Sequence, residues 1–171
     1  MTAVSDEPGL GATSGEDEAT AFAPFRPRRG RRVALASALV SVLTFGIIAV
    51  FLPDPAHGGN WQVGDKIFFA GVGLAIALML WRFAAIRAVP TRAGLRVRNL
   101  MLTRTVEWGE IVDLRFSGGD PWVVVELDDT DTLAVMAIQK SDGDFGRAEA
   151  RRLAALVQAL GSPANSPADG I

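Results

Sequence analysis

Apolar positions form two long runs in the first half of the chain, followed by short alternating segments. The first run, residues 33–52, is twenty residues without a charge, and the second, residues 67–86, is apolar except for Arg82. At about 1.5 Å per residue, each run forms a helix of roughly 30 Å, which matches the hydrocarbon layer of a bilayer. The pattern therefore predicts two membrane-spanning helices.

Small residues recur within both apolar runs, and they predict close packing of the two helices. In the first run these residues are Ala34, Ala38 and Ser41. In the second run they are Ala70, Gly73 and Ala77, with Gly71 and Ala75 beside them.

Beyond residue 88 the apolar positions alternate with polar ones, as in β-strands. Arg96 and Arg98 alternate with Leu95 and Val97, so the two arginines share one face of a strand. The next strand is expected to place Val112, Leu114 and Phe116 on one side. Short connections favour antiparallel pairing of successive strands. Residues 145–160 carry apolar side chains at helical spacing instead, and Gly161 and Pro163 follow as helix-ending residues.

These patterns predict a transmembrane helix hairpin joined to a small α+β domain. The domain is an antiparallel sheet or open barrel of about six strands with a C-terminal helix. Residues 1–25 are acidic, lack periodicity and are expected to be a disordered tail. The predicted boundaries are 26–87 for the hairpin, 88–161 for the α+β domain and 162–171 for a second disordered tail.

The composition agrees with a membrane protein, because 49% of residues are hydrophobic and they cluster. The net charge of −2 conceals strong segregation. Five arginines fall in residues 26–32 and five more in residues 82–98, with no acidic residue in either block. The chain has no cysteine, so disulfides and thiolate metal sites are excluded.

The two arginine blocks flank the predicted hairpin, and this arrangement fixes its expected orientation. Basic residues collect on the cytoplasmic side of membrane spans, so both termini are expected in the cytoplasm of an inner-membrane protein. A cleaved or twin-arginine export signal is the competing interpretation, but the apolar core is long and begins after many polar residues. Nucleic-acid binding is not expected, because these arginines adjoin the membrane and an acidic tail.

No motif in the sequence indicates catalysis, a metal or a cofactor. His57 is the single histidine and has only Asp54 near it in sequence. The acidic residues 128–131 lack the glycine and distal glutamate of a calcium loop. Glu107 and Glu110 are interpreted as surface charges rather than an acid–base pair. The protein is therefore expected not to be an enzyme.

The segments "GLRVRN" at 94–99 and "VEWGEI" at 106–111, with the strands and helix after them, carry a family resemblance. This part of the chain resembles the bacterial pleckstrin-homology-like (PH-like) domain of small two-span membrane proteins of the low-molecular-weight protein antigen type. The resemblance covers residues 30–160, spans included. It implies a fold and a binding role, and it brings no catalytic residues.

Two groups of side chains are candidate functional or structural positions. Arg92, Arg96 and Arg98 are candidates for contact with anionic lipid headgroups, because an anionic leaflet attracts basic residues close to it. A second group is expected to anchor the fold: Trp108, Ile111 and Leu156. The favoured function is a non-catalytic, membrane-anchored binding or scaffold module with an unknown protein partner. The alternative is an accessory subunit of a transporter or channel.

Overall fold

The computed structural model describes residues 18–53, 56, 58–116 and 119–161. Two antiparallel helices come first, α1 (Arg29–Phe51) and α2 (Val63–Ala84). Each begins four residues before the predicted apolar run, because the first turn of a helix tolerates charged and polar residues at the water-facing end. In α2 that turn contains Asp65, whose carboxylate accepts a hydrogen bond of 2.8 Å from the Gln62 backbone N–H and caps the helix.

Close contact between α1 and α2 depends on small side chains near their middle. The Ser41 hydroxyl donates a 3.2 Å hydrogen bond to the Gly73 carbonyl oxygen. A Cβ atom at Gly73 would lie 2.4 Å from the Phe45 Cβ, so only glycine fits at that crossing. The packing prediction holds for the buried residues Ala34, Ser41, Gly73 and Ala77. It is wrong for Ala70, Gly71 and Ala75, which are exposed on another side of α2.

Six strands follow in two three-stranded antiparallel sheets, as the alternating pattern predicts. The first sheet has the order β1 (Arg87–Pro90), β2 (Gly94–Arg98), β3 (Thr103–Glu107). The second has the order β4 (Ile111–Arg115), β5 (Trp122–Leu127), β6 (Thr132–Gln139). Short 3-10 helices at Trp108–Glu110 and Lys140–Asp142 connect the first sheet to the second and the second to the last helix.

The inner faces of both sheets form one core, with Leu95 and Val97 of β2 buried and Arg96 outside. Strand β4 departs from the predicted pattern. Its pairing with β5 shifts register between Ile111 and Asp113, so Ile111 is buried while Val112 is 67% exposed. The expectation that Val112 would share a side with Leu114 and Phe116 is therefore wrong.

The last helix, α3 (Asp144–Leu160), covers the core. Leu153 and Leu156 point inward, whereas Arg151 and Ala155 on the same helix are exposed. Gly146 allows the start of this helix to approach β6, because a Cβ there would lie 2.2 Å from the Gln139 carbonyl oxygen. The amphipathic pattern thus positions α3 as predicted.

Residues 18–25 of the expected acidic tail lie within the described part of the chain. Residues 1–17 and 162–171, like the loop residues His57 and Asp54, lie outside the described residues. Residues 18–25 differ from the prediction: 18–21 are helical, and Phe25 is completely buried in the domain core. A composition argument fails here because one or two aromatic side chains are enough to dock a short segment.

Candidate functional site

Residues 18–28, called the N-terminal strap here, lie against the α+β domain immediately before α1. Phe25 pairs with Ala88 of β1 through two backbone hydrogen bonds of 2.8 and 3.1 Å. Its ring occupies the core beside Ile86, which is also buried. The strap therefore completes the domain from a position more than sixty residues earlier in the chain.

Arg152 of α3 holds the strap from the other side. Its guanidinium donates hydrogen bonds to three strap carbonyl oxygens, those of Thr20, Ala21 and Ala23, at 2.8–3.2 Å. The same group lies 3.8 Å from the centre of the Phe25 ring, a cation–π contact. Glu149 pairs with Arg152 at 2.7 Å and fixes its orientation. One arginine thus binds three backbone carbonyl groups of the strap and the ring of Phe25.

Asp142 connects the domain to the first residues of α1. Its buried carboxylate accepts hydrogen bonds from the backbone N–H groups of Arg28 at 2.9 Å and Arg29 at 2.8 Å. A carboxylate at a helix N-terminus satisfies free N–H groups and complements the helix dipole. The residue that caps α1 therefore belongs to a different part of the fold, and the Arg28 guanidinium over the Phe145 ring adds a second contact at 3.6 Å.

Seven arginines surround the place where the helix pair meets the domain, and we call them the basic collar. They are Arg26, Arg31, Arg32, Arg82, Arg87, Arg96 and Arg98. They line three adjoining clefts of about 620, 180 and 730 Å³. Arg26 and Arg31 are common to the first and second clefts, and Arg87 and Arg98 to the second and third. The charges therefore form one continuous band.

None of the collar arginines forms an ion pair with any residue in the described ranges. Most other arginines of the domain do. The paired ones are Arg92 with Glu18, Arg104 with Asp129 and Asp131, Arg115 with Glu126, Arg147 with Asp144, and Arg152 with Glu149. Arg151 on α3 is a further arginine without an acidic partner in that part of the chain. Unneutralised positive charge is thus concentrated at the junction.

Arg104 illustrates the paired class. The side-chain hydrogen bond to Asp131 raises the pKa of Arg104 above its ordinary value. A raised pKa means that the favourable contribution is complete at neutral pH and is lost only in strongly alkaline solution. The acidic turn at residues 128–131 therefore serves as an arginine partner, and the described residues contain no group of three or more metal-ligating side chains.

The structure brings together only two of the three arginines predicted to contact headgroups. Arg96 and Arg98 lie on the outer face of the first sheet, and Arg98 is opposite Arg87. Arg92 lies at the far end of β2, where it pairs with Glu18. The remaining collar arginines, apart from Arg87, come from the strap and the two helices, and sequence reasoning assigned them only to membrane orientation.

Trp108, Ile111 and Leu156 are all buried in the domain core. The Trp108 indole N–H donates a 2.8 Å hydrogen bond to the Thr91 carbonyl oxygen, which joins the β1–β2 turn to the 3-10 helix at Trp108–Glu110. The C-terminal end of α3 is close to this site, since a Cβ at Gly161 would lie 2.9 Å from the Trp108 carbonyl oxygen. Trp108 therefore lies at the Gly94 end of β2, the end opposite to Arg98.

Comparison with known proteins agrees with this architecture. Residues 86–155, from the end of α2 to most of α3, match the family model described as "Bacterial PH domain". Uncharacterised proteins of Mycobacterium bovis and Mycobacterium tuberculosis are 33% identical to the chain over 119 residues, which cover 70% of this chain and 77% of each relative. The chain belongs to the bacterial PH domain family. No solved structure gives a significant match.

The match to the bacterial PH domain begins at Ile86, so the N-terminal strap and the arginines of α1 lie before it. Phe25 and Asp142 show that the PH-like domain and the preceding segment are nevertheless one structural unit. The collar spans both parts, with Arg87, Arg96 and Arg98 inside the matched region and the other four outside it.

Proposed function

We propose that this protein is a non-catalytic, membrane-anchored PH-like binding module at the cytoplasmic face of the inner membrane. The observation that carries the proposal is the basic collar. Seven arginines without an acidic partner in the described ranges surround the start of α1 and the end of α2, where a hairpin in a bilayer would emerge among lipid headgroups. The rest of the PH-like domain is then available to a protein partner.

The exposure of the two helices supports membrane anchoring. Both helices are long and apolar enough to cross a bilayer, and only 11% and 17% of their most apolar segments are buried within the protein. A core helix of a soluble protein would bury most of its apolar surface. Large side chains such as Val50, Phe51 and Met79 are instead more than 60% exposed, which a hydrocarbon environment accommodates.

The collar supports an inner-leaflet position. An anionic cytoplasmic leaflet attracts a nearby basic residue by about 1 kcal/mol, so seven such residues would dominate the orientation of the domain. Arginines that have no acidic partner in the described ranges are available for phosphate groups. An accessory role in a transporter or channel has less support, because the described segments 33–51 and 67–81 contain no charged residue.

The proposed orientation is tested with single cysteines, which are unique labels because the chain contains none. Asn60→Cys lies at an exposed position of the loop between α1 and α2, and Ser141→Cys lies in the PH-like domain. On intact cells a membrane-impermeant thiol reagent should label position 60 and should reach position 141 only after permeabilisation. Labelling of position 141 and not 60 would reverse the orientation and reject a cytoplasmic role.

The lipid contact is tested by the lipid that copurifies with the full chain in polymer-bounded discs. Replacing Arg31, Arg32, Arg87 and Arg98 by glutamine should reduce the ratio of phosphatidylglycerol to phosphatidylethanolamine. The matched control replaces four paired arginines, Arg92, Arg104, Arg115 and Arg147, and removes the same charge. Equal loss in both variants would show that net charge, rather than the collar, attracts the lipid.

A further inference from the structure

The turn between β2 and β3 presents apolar side chains to the outside of the PH-like domain. Met101 is 75% exposed and Leu102 is 76% exposed. Across the described part of the domain, residues 86–116 and 119–161, the only other strongly exposed large apolar side chain is Val112. Soluble domains routinely expose single apolar residues, but two adjacent ones at the tip of a tight turn form a small apolar patch.

The turn is held in a fixed shape. The Asn99 backbone N–H donates a 2.9 Å hydrogen bond to the Leu102 carbonyl oxygen, which closes the turn. The Asn99 side chain donates to the Ala134 carbonyl oxygen at 2.7 Å, and its oxygen accepts from the Met136 N–H at 3.4 Å. Both partners belong to β6 of the other sheet. The exposure of Met101 and Leu102 is therefore imposed by the fold and does not arise from a loose loop.

Strand register places this turn at the end of the first sheet nearest the helix pair. Arg98 is opposite Arg87, the first residue of β1, and also opposite Thr103. Only two residues separate Arg87 from the end of α2. Arg98 lines a cleft with Trp81, and Thr103 lines one with Arg82, so both ends of the turn lie beside the last turn of α2.

The surroundings of the turn indicate which partner it meets. Arg82, Arg87 and Arg98 of the collar lie next to it and have no acidic partner in the described ranges. Apolar side chains flanked by basic ones match a bilayer surface, where phosphate groups overlie hydrocarbon. A protein partner would require the same arginines to be neutralised by acidic residues at the edge of the membrane.

We infer that Met101 and Leu102 insert into the cytoplasmic leaflet of the membrane that holds α1 and α2, beside the basic collar. The inference rests on the proposed membrane anchoring. It adds a third point of membrane contact, made by the PH-like domain itself, to the two helices. The ligand class is an anionic glycerophospholipid surface, with acyl chains around Met101 and Leu102 and phosphate groups at the arginines.

The experiment uses the full chain in nanodiscs of phosphatidylcholine and phosphatidylglycerol that contain lipid with a nitroxide on the acyl chain. An environment-sensitive NBD label is attached to Leu102→Cys, or to Ala93→Cys as the matched control. Ala93 is exposed in the turn at the opposite end of β2. Leu43→Cys, in the middle of α1, reports whether the hairpin is in the bilayer.

We expect nitroxide quenching at positions 43 and 102 and none at position 93. A nitroxide near the headgroup should quench position 102 more than one deep in the chain, with the reverse order at position 43. Quenching at 102 should fall in nanodiscs of phosphatidylcholine alone, while quenching at 43 should not change.

Quenching at 43 without quenching at 102 would overturn the insertion and leave the membrane anchoring intact. A label at 102 that is shielded from aqueous iodide but not quenched by nitroxide lipid would assign the turn to a protein contact, such as a second copy. Absence of quenching at 43 would reject the anchoring and the insertion together.

Discussion

The helix pair and the PH-like domain differ in where their apolar side chains lie: the domain buries them, and the helix pair exposes them. In α3 the apolar side chains lie on one side, with Leu153 fully buried and Arg151 exposed. In α1 the apolar side chains surround the helix, and Val33, Leu39 and Val42 on different sides are all more than 45% exposed. The domain is stabilised by hiding its apolar surface from water, whereas the helix pair needs a surrounding that is itself apolar.

This difference predicts which substitutions will destabilise the PH-like domain and which will not. A change in the domain core should destabilise the domain alone, and a similar change on the outside of the helices should leave the domain intact. Hydrogen–deuterium exchange of the full chain in nanodiscs separates the two regions, because β5 and β6 amides report opening of the domain.

The largest effect is expected for Leu156→Asp. The substitution places a carboxylate among buried apolar groups without a partner and should lower the stability of the domain by more than about 4 kcal/mol. Exchange at β5 and β6 should then approach that of an unfolded chain. Ala155→Asp, at the exposed neighbouring position, is the control and should behave like the parent. Equal behaviour of the two variants would place α3 elsewhere.

Phe25→Ala tests whether the strap is part of the domain. Removing a fully buried aromatic ring should cost about 3–4 kcal/mol, so β5 and β6 should exchange several hundredfold faster. Phe51→Ala removes the same ring from α1, where it is 78% exposed, and should leave domain exchange unchanged. If Phe25→Ala also has no effect, residues 88–161 fold independently of the strap.

Gly73→Ala tests the close packing of α1 against α2. The added methyl group meets Phe45 at 2.4 Å, so the helices must separate, at an expected cost of about 1–3 kcal/mol in helix-pair stability. Gly71→Ala meets nothing within 4 Å and is the matched control. Thermal unfolding followed by circular dichroism in detergent should show a lower midpoint for the first variant. A parental midpoint would mean that the close crossing is absent.

The smallest expected effect is that of Asp142→Ala. Loss of the cap leaves two N–H groups of α1 without their acceptor and should cost about 1–2 kcal/mol. Increased exchange should be confined to residues 28–32 and the start of α3. Asp142→Asn keeps an acceptor oxygen and should fall between the parent and the alanine variant. Faster exchange throughout β5 and β6 would show that Asp142 supports the core instead.

Sequence reasoning identified the parts whose structure is encoded locally. Apolar runs and alternation are visible in a window of about ten residues, so the helices, six strands and α3 could be predicted. Asp142 and Phe25 could not, because their partners lie 114 and 63 residues away along the chain. Asp142 in "KSDGD" has the form of an ordinary turn residue. Phe22 and Phe25 in an otherwise polar segment were the available signal for the strap.

The basic collar could be predicted only in part, because its arginines are visible in the sequence but their distant partners are not. Arginine blocks at 26–32 and 82–98 are evident in sequence, and they were explained by membrane orientation. Which of their members lack acidic partners depends on folding. Arg92 is neutralised by an ion pair with Glu18. Arg104 is neutralised by two aspartates that are about 25 residues away along the chain. Charge counting cannot distinguish neutralised from available arginines.

The cap at Asp142 has a mechanical consequence. A domain joined to a hairpin by one linker would swivel, but this domain is held at the start of α1 by Asp142 and at the end of α2 by a two-residue link containing the buried Ile86. Helices in a bilayer change tilt when its thickness changes. If the hairpin spans a bilayer as proposed, the two fixed attachments would convert a change in helix tilt into a rotation of the whole domain. Its outer surface would then rise or turn with membrane thickness.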